Sequence, residues 1–242
     1  MMGPKWTLTV GVLAIGLSWA AQGQGELTLR PKALADRVTV KEVQNPTAAV
    51  WREAPAFRLH LNRTPPLHSD GPRDDGARPT ATVRLLRRAN GEAFVRLEWT
   101  DASSQEAEAG ARVPDVGAEH VYQQHTRGAS QFADAACIMV PQQRAPVSPG
   151  PSITMGDKTN PVDLYYWRAG VGFQVLRAAG LSTVTDTNSA GLGGAARVRT
   201  GWTVVFAIGK APAQTPITFA IWDGAKQHRD GIKYFSLWCE VG

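Results

Sequence analysis

Residues Thr82–Asp101 read TVRLLRRANGEAFVRLEWTD, and this stretch decides the fold class. Its second half alternates, with Val95, Leu97 and Trp99 on one face and Phe94, Arg96 and Glu98 on the other. Ala81–Arg87 alternates in the same way. Between them lies Ala89-Asn90-Gly91-Glu92, where Asn and Gly tolerate the left-handed backbone of a tight hairpin turn. Alternation carried by Val, Leu, Phe and Trp suits a half-buried pleated surface. An antiparallel hairpin follows.

Working outward, the same pattern recurs. Phe57–Asn62 (FRLHLN) groups Phe57, Leu59 and Leu61. Further strands are expected at Ala136–Val140, Val162–Ala169, Trp202–Ile208, Ile217–Trp222 and Lys233–Val241. Thr64–Thr80, Asp101–Gly128, Pro141–Pro151 and Ala178–Ala196 read as loops, with room for a helical turn in the second. The expected fold is all-β: an antiparallel β-sandwich with long loops and a few short helices.

Composition sets limits on function. Of 242 residues, 43% are hydrophobic, which argues against disorder. The net charge of +5 is scattered rather than clustered, so no nucleic-acid partner is expected. Two cysteines cannot hold a four-thiolate iron–sulfur cluster, and without C-x-x-C-H no c-type haem is attached. G-x-S-x-G, a Walker loop and H-E-x-x-H are all absent. Asp101, Asp223 and Glu240 show no spacing of a hydrolytic carboxylate pair.

Lys5 followed by the apolar run Trp6–Trp19 and small residues at Ser18 and Ala20 reads as a secretory signal, cleaved after Ala20 or by residue 25. Residues 26–242 then form one exported domain, without a membrane span in the mature chain and periplasmic in a Gram-negative cell. In an oxidising compartment Cys137 and Cys239 are free to pair or not.

Six segments stand in a telling order: Val50–Pro55, Thr82–Asp101, Phe132–Pro141, Met155–Gly170, Gly201–Lys210 and Phe219–Trp238. Together they resemble the ethylbenzene dehydrogenase γ-subunit family, which includes haem b subunits of dimethyl sulfide dehydrogenase, selenate reductase and chlorate reductase complexes. The resemblance implies a sandwich holding one non-covalent haem b, with Met and Lys as axial iron ligands. It also implies a heterotrimer with a molybdopterin α subunit and an iron–sulfur β subunit. A soluble periplasmic cytochrome or similar carrier would exchange electrons with it, and the chain itself would do no substrate chemistry. Matched residue by residue, D-x-x-x-x-M-x-P falls on Asp134–Pro141 and points to Met139. The motif D-G-x-K-x-x-S-x-W falls on Asp230–Trp238 and points to Lys233.

A thioether is a soft ligand that favours ferrous iron. A lysine must lose its proton to bind, at a cost of about 4–5 kcal/mol at pH 7 for an ordinary amine. Desolvation between two apolar sheets lowers that cost, so the ligand amine should lie deep among aromatics. Lys233, beside Ile232, Tyr234 and Phe235, suits this; Lys226 and Lys210 read as loop residues. Met155 and Lys226 are the alternate ligands, with His60 or His228 behind them. The five histidines read as surface residues. Arg96 and Arg168 are candidate propionate partners. Trp99, Trp167, Trp202, Trp222 and Trp238 read as core or pocket walls. The competing reading is a haem-free carbohydrate-binding β-sandwich that uses its eight Trp as a sugar platform. A loop-carboxylate hydrolase is the third.

Overall fold

The computed structural model describes residues 27–65, 72–107, 132–146 and 148–242. The signal segment, His68, His120 and His125 lie outside the described residues. Among those described, no helix is long and apolar enough to cross a membrane.

The chain opens with β1 (Thr28–Leu29), β2 (Lys32–Ala33) and a short helix α1 (Val40–Gln44). Thr39 caps that helix, its hydroxyl accepting from the Glu42 amide at 3.2 Å. Then come β3 (Phe57–His60), β4 (Asn62–Arg63), β5 (Thr80–Arg87), β6 (Glu92–Thr100) and β7 (Ala135–Pro141). Six strands follow: β8 (Val162–Arg168), β9 (Gly172–Ala178), β10 (Thr185–Ala190), β11 (Gly193–Val198), β12 (Gly201–Lys210) and β13 (Pro216–Trp222). The last elements are β14 (Tyr234–Phe235) and β15 (Cys239–Val241).

The strands form two sheets. The smaller runs β11-β12-β6-β5-β2, with β3 also on β5. The larger runs β1-β15-β13-β7-β8-β9-β10, and β14 bridges β13 to β4. Two short pairings, β1 with β15 and β2 with β5, are parallel; the other described ladders are antiparallel. The expected hairpin is there: β5 and β6 pair in register, Val83 opposite Leu97, around Gly91 at φ 87°. That angle is what the turn needs and what glycine accepts without strain.

Two expectations need correction, and the pairing of Cys137 and Cys239, left open by the sequence, is answered. The polar run Ala178–Ala196 is not one loop; it carries β10 and the start of β11. These are the edge strands of their sheets, so they bury little and show no apolar alternation. Lys233–Val241 is not one strand but two, β14 and β15, which pair with different stretches of β13. Cys137 and Cys239 are both free, buried thiols.

The sheets face each other across one core. Val83, Leu85, Val95, Leu97, Phe206 and Ile208 from the smaller sheet meet Ala136, Ile138, Val140, Ile217, Phe219 and Ile221 from the larger. Full burial of such side chains contributes about 1.5–3 kcal/mol each. The outer face of the smaller sheet is covered as well. Leu86, Phe94 and Val205 pack under Val43 and Trp51, whose indole donates to the Val43 carbonyl at 2.9 Å. Phe206, 1% exposed and edge-on to Phe173 at 5.5 Å, fills the middle of the sandwich. Phe206→Ala is expected to lower stability by about 3–5 kcal/mol, read as a fall in the denaturant midpoint.

Candidate functional site

The outer face of the larger sheet carries a third apolar cluster. Cys137, Met139, Val162, Leu164, Leu176 and Ala178 form its base. Ile153, Met155, Tyr166, Val184, Ala220, Trp222 and Trp238 pack against it, each only partly buried. The alternation of β7 explains the division. Ala136, Ile138 and Val140 point into the core between the sheets, so Cys137 and Met139 point the other way.

Register then places the predicted ligands. Met139 pairs with Thr218 and Cys137 with Ala220 on β13. On the far side of β13, Phe235 pairs with Ala220 and Tyr234 with Ile221. One step further along, Lys233 is level with Trp222 and shares a face with Ala220 and Cys137. Met139 and Lys233 therefore project from the same face, four residues apart along β13 and two strand spacings across. Strand spacing and rise put their Cα positions about 16 Å apart on that face. The floor between them is Ala135, Cys137, Thr218 and Ala220, all small. Tyr166 and Trp222 rise beside it and meet edge to face at 5.6 Å.

Lys233 is held from both ends. Its amide donates to the Thr64 hydroxyl at 3.0 Å, and its carbonyl accepts from the Thr64 amide at 3.0 Å. Its Nζ lies 5.5 Å from the Trp222 ring centre and donates to the Asp230 carbonyl at 3.4 Å. The Trp222 indole donates to the same carbonyl at 3.1 Å. Among the described residues Lys233 makes no ion pair. Burial pushes its pKa down, only partly opposed by the Asp230 charge. Burial also lifts the Cys137 thiol to about 12 and raises the Tyr166 hydroxyl, so both stay protonated at neutral pH. The face is mostly apolar, and it holds one amine whose pKa burial lowers and one thioether.

The alternates fare differently. Lys226 sits in a 3-10 turn, paired with Asp75 at 2.7 Å and hydrogen-bonded to the Tyr234 hydroxyl at 3.0 Å. Burial, the largest single influence, pushes its pKa down, but those partners together outweigh it, raise the pKa and keep the amine charged. It is not a free solvated loop lysine. Met155, at φ 71° in a turn of the covering loop, packs on the rim of the outer cluster. His60 is exposed. His228, expected at the surface, is 3% exposed; its ring lies 4.7 Å from that of Tyr234. Arg96 is on the outer face of the other sheet, bound to Glu98 at 2.8 Å and the Pro46 carbonyl at 2.8 Å, which removes it from this face. Arg168 does share the face, opposite Ala135. Trp51, Trp99, Trp167 and Trp202 are buried and form no exposed aromatic platform.

One expectation about location is overturned. The space between the sheets is filled by packed side chains, so a flat cofactor does not fit there. Met139 and Lys233 lie instead on the outer face, over a floor of small residues. The sequence could not choose between the faces, because β7 is apolar on both.

The histidine gives a testable consequence. Burial first, then the Arg63 and Lys226 charges, push the His228 pKa down to about 3, against an ordinary 6.5. The unfolded chain binds that proton first, so its stabilising effect is fully present above about pH 6.5 and is lost as pH falls toward 3. Between those limits the stability difference between wild type and His228→Gln should change with a slope approaching about 1.4 kcal/mol per pH unit, read by urea titrations across pH 4–6.5.

No family model matches the chain. Curated relatives do. The chain is 29% identical to the chlorate reductase γ subunit of Ideonella dechloratans, over 95% of this chain and 91% of that one. It is 26% identical to the dimethylsulfide dehydrogenase γ subunit of Rhodovulum sulfidophilum, over 84% and 76%. It is also 26% identical, over 94% and 79%, to a Haloferax mediterranei protein described as a respiratory nitrate reductase haem subunit. These are the kind of subunit that the order of motifs anticipated.

Proposed function

We propose that this chain, a relative of the γ and haem subunits of chlorate, dimethylsulfide and nitrate oxidoreductases, is their counterpart in such a complex. It is an accessory subunit without substrate chemistry of its own. It binds one haem b non-covalently on the outer face of the larger sheet, with Met139 and Lys233 as the axial ligands. The observation that carries this reading is their arrangement. A thioether and an amine that makes no ion pair among the described residues project from one mostly apolar face across a floor of small residues.

A bound haem b supplies a one-electron centre. The chain supplies its setting. Trp222 supports the Lys233 amine from below, and its indole ties down the Asp230 carbonyl to which that amine also donates. Thr64 anchors the Lys233 backbone, just before β14, by hydrogen bonds to both its amide and its carbonyl. The apolar shell keeps water from the amine and lowers the cost of its neutral form. A thioether opposite it favours the ferrous state and a higher potential. Arg168, on the same face, is placed to meet a propionate.

In this reading the partners are a molybdopterin α subunit and an iron–sulfur β subunit, with a soluble carrier at the outer end. The N-terminal apolar run supports export to the periplasm.

Haemin reconstitution of the mature chain tests the reading. One haem per chain with a low-spin spectrum is expected. Met139→Ala should lower the midpoint potential by on the order of 0.1 V, a fraction of the roughly 0.8 V range that axial ligands command. Lys233→Ala should abolish the low-spin spectrum. A chain that folds but takes no haem, or variants whose spectrum and potential match wild type, would refute the assignment.

A further inference from the structure

Three aspartates that look unrelated in the sequence meet at one end of the core between the sheets. Strand alternation brings them there. On β6, Leu97 and Trp99 point inward, and Asp101 continues that row just past the strand end. Asp134 precedes the inward Ala136, Ile138 and Val140 of β7. Asp223 follows the inward Phe219 and Ile221 of β13. The first comes from the smaller sheet and the other two from the larger. One oxygen from each carboxylate lies within 4.8 Å of the others.

Their partners leave the charge unanswered. Asp134 is 0% and Asp101 5% exposed. None of the three makes an ion pair among the described residues. Asp134 accepts from the Gly224 amide at 2.9 Å, the Gln105 amide at 3.0 Å and the Trp202 indole at 2.9 Å. Asp223 accepts from the Lys226 amide at 3.2 Å. Asp101 Oδ1 accepts from the Ser103 amide at 3.0 Å, but Oδ2 is fully enclosed and has no hydrogen-bond partner. The neighbouring Arg197 does not neutralise it. That guanidinium donates to the Asp101 backbone carbonyl at 2.7 Å and lies 5.4 Å from the Trp202 ring centre. A buried carboxylate oxygen left without a partner costs several kcal/mol unless a proton or a cation meets it. The close approach of the loops is enforced as well. A Cβ at Gly224 would fall 2.4 Å from the Phe132 carbonyl, so only glycine lets Asp223 come this near Asp134.

We infer that Asp101, Asp134 and Asp223 bind one hard divalent cation of the calcium type, which staples the smaller sheet to the larger. The donors are all oxygens, which selects calcium or magnesium over softer metals. Two oxygens on one Ca²⁺, each about 2.3–2.6 Å away, can stand up to about 5 Å apart, and the cluster satisfies this without rearrangement. The site faces the inter-sheet core, on the other side of the larger sheet from Met139 and Lys233, and does not depend on the haem reading.

The test uses the full mature chain, analysed for metal as purified and then stripped with EGTA. One calcium per chain as purified, or a Tm rise of about 3 °C or more when CaCl₂ is restored, is the expected result. MgCl₂ should do less. Asp101→Asn keeps the Ser103 contact and should abolish the CaCl₂ response; Asp223→Asn, at the half-buried member, should do the same if the first variant fails to fold. A metal-free chain whose Tm ignores CaCl₂ overturns the proposal.

Discussion

The structure turns on one strand that is buried on both sides. Every residue from Ala135 to Pro141 is buried, and successive side chains enter different apolar volumes. Ile138 packs between the sheets, while Met139 packs on the outer face. A strand of this kind is stable only inside a sheet, covered above and below. Its place between β13 and β8 follows, and so does the need for the loops and tryptophans that roof the outer cluster.

That double burial separates two kinds of work. The inner face supplies cohesion through large interlocking side chains. The outer face has smaller residues at its centre and larger ones packed around them. A lysine placed at that edge loses hydration and makes no ion pair among the described residues, so its pKa falls. Lys226, seven residues earlier, shows the opposite outcome, because Asp75 stands next to it. Two lysines in one motif thus differ in chemistry through their neighbours alone.

The same alternation links the outer face to the carboxylates. On β7 and β13 the residues facing outward are those that frame Met139 and Lys233, and the residues facing inward lead to Asp134 and Asp223. A one-residue slip in either strand would exchange the two sets, placing carboxylates on the mostly apolar outer face and small residues in the core. Register is therefore under constraint from both sides at once, and the Trp202 indole bonded to Asp134 adds a cross-sheet tie that holds it.

The amino-acid sequence by itself determined the strand class, the β5–β6 hairpin, the central strands and, through matched motifs, Met139 and Lys233 as residues to watch. Local signals suffice for these, since apolar alternation and turn chemistry act between near neighbours. Sequence did not reveal β10 and β11, whose edge positions need little apolar surface, or the break between β14 and β15, which pair with separate parts of β13. It left open on which side of the sheet Met139 stands, because a strand apolar on both faces has no polar side to mark solvent. It also hid the burial of His228 and the meeting of Asp101, Asp134 and Asp223. Only the tertiary structure decided these, because each depends on how strands far apart in the chain are brought into register.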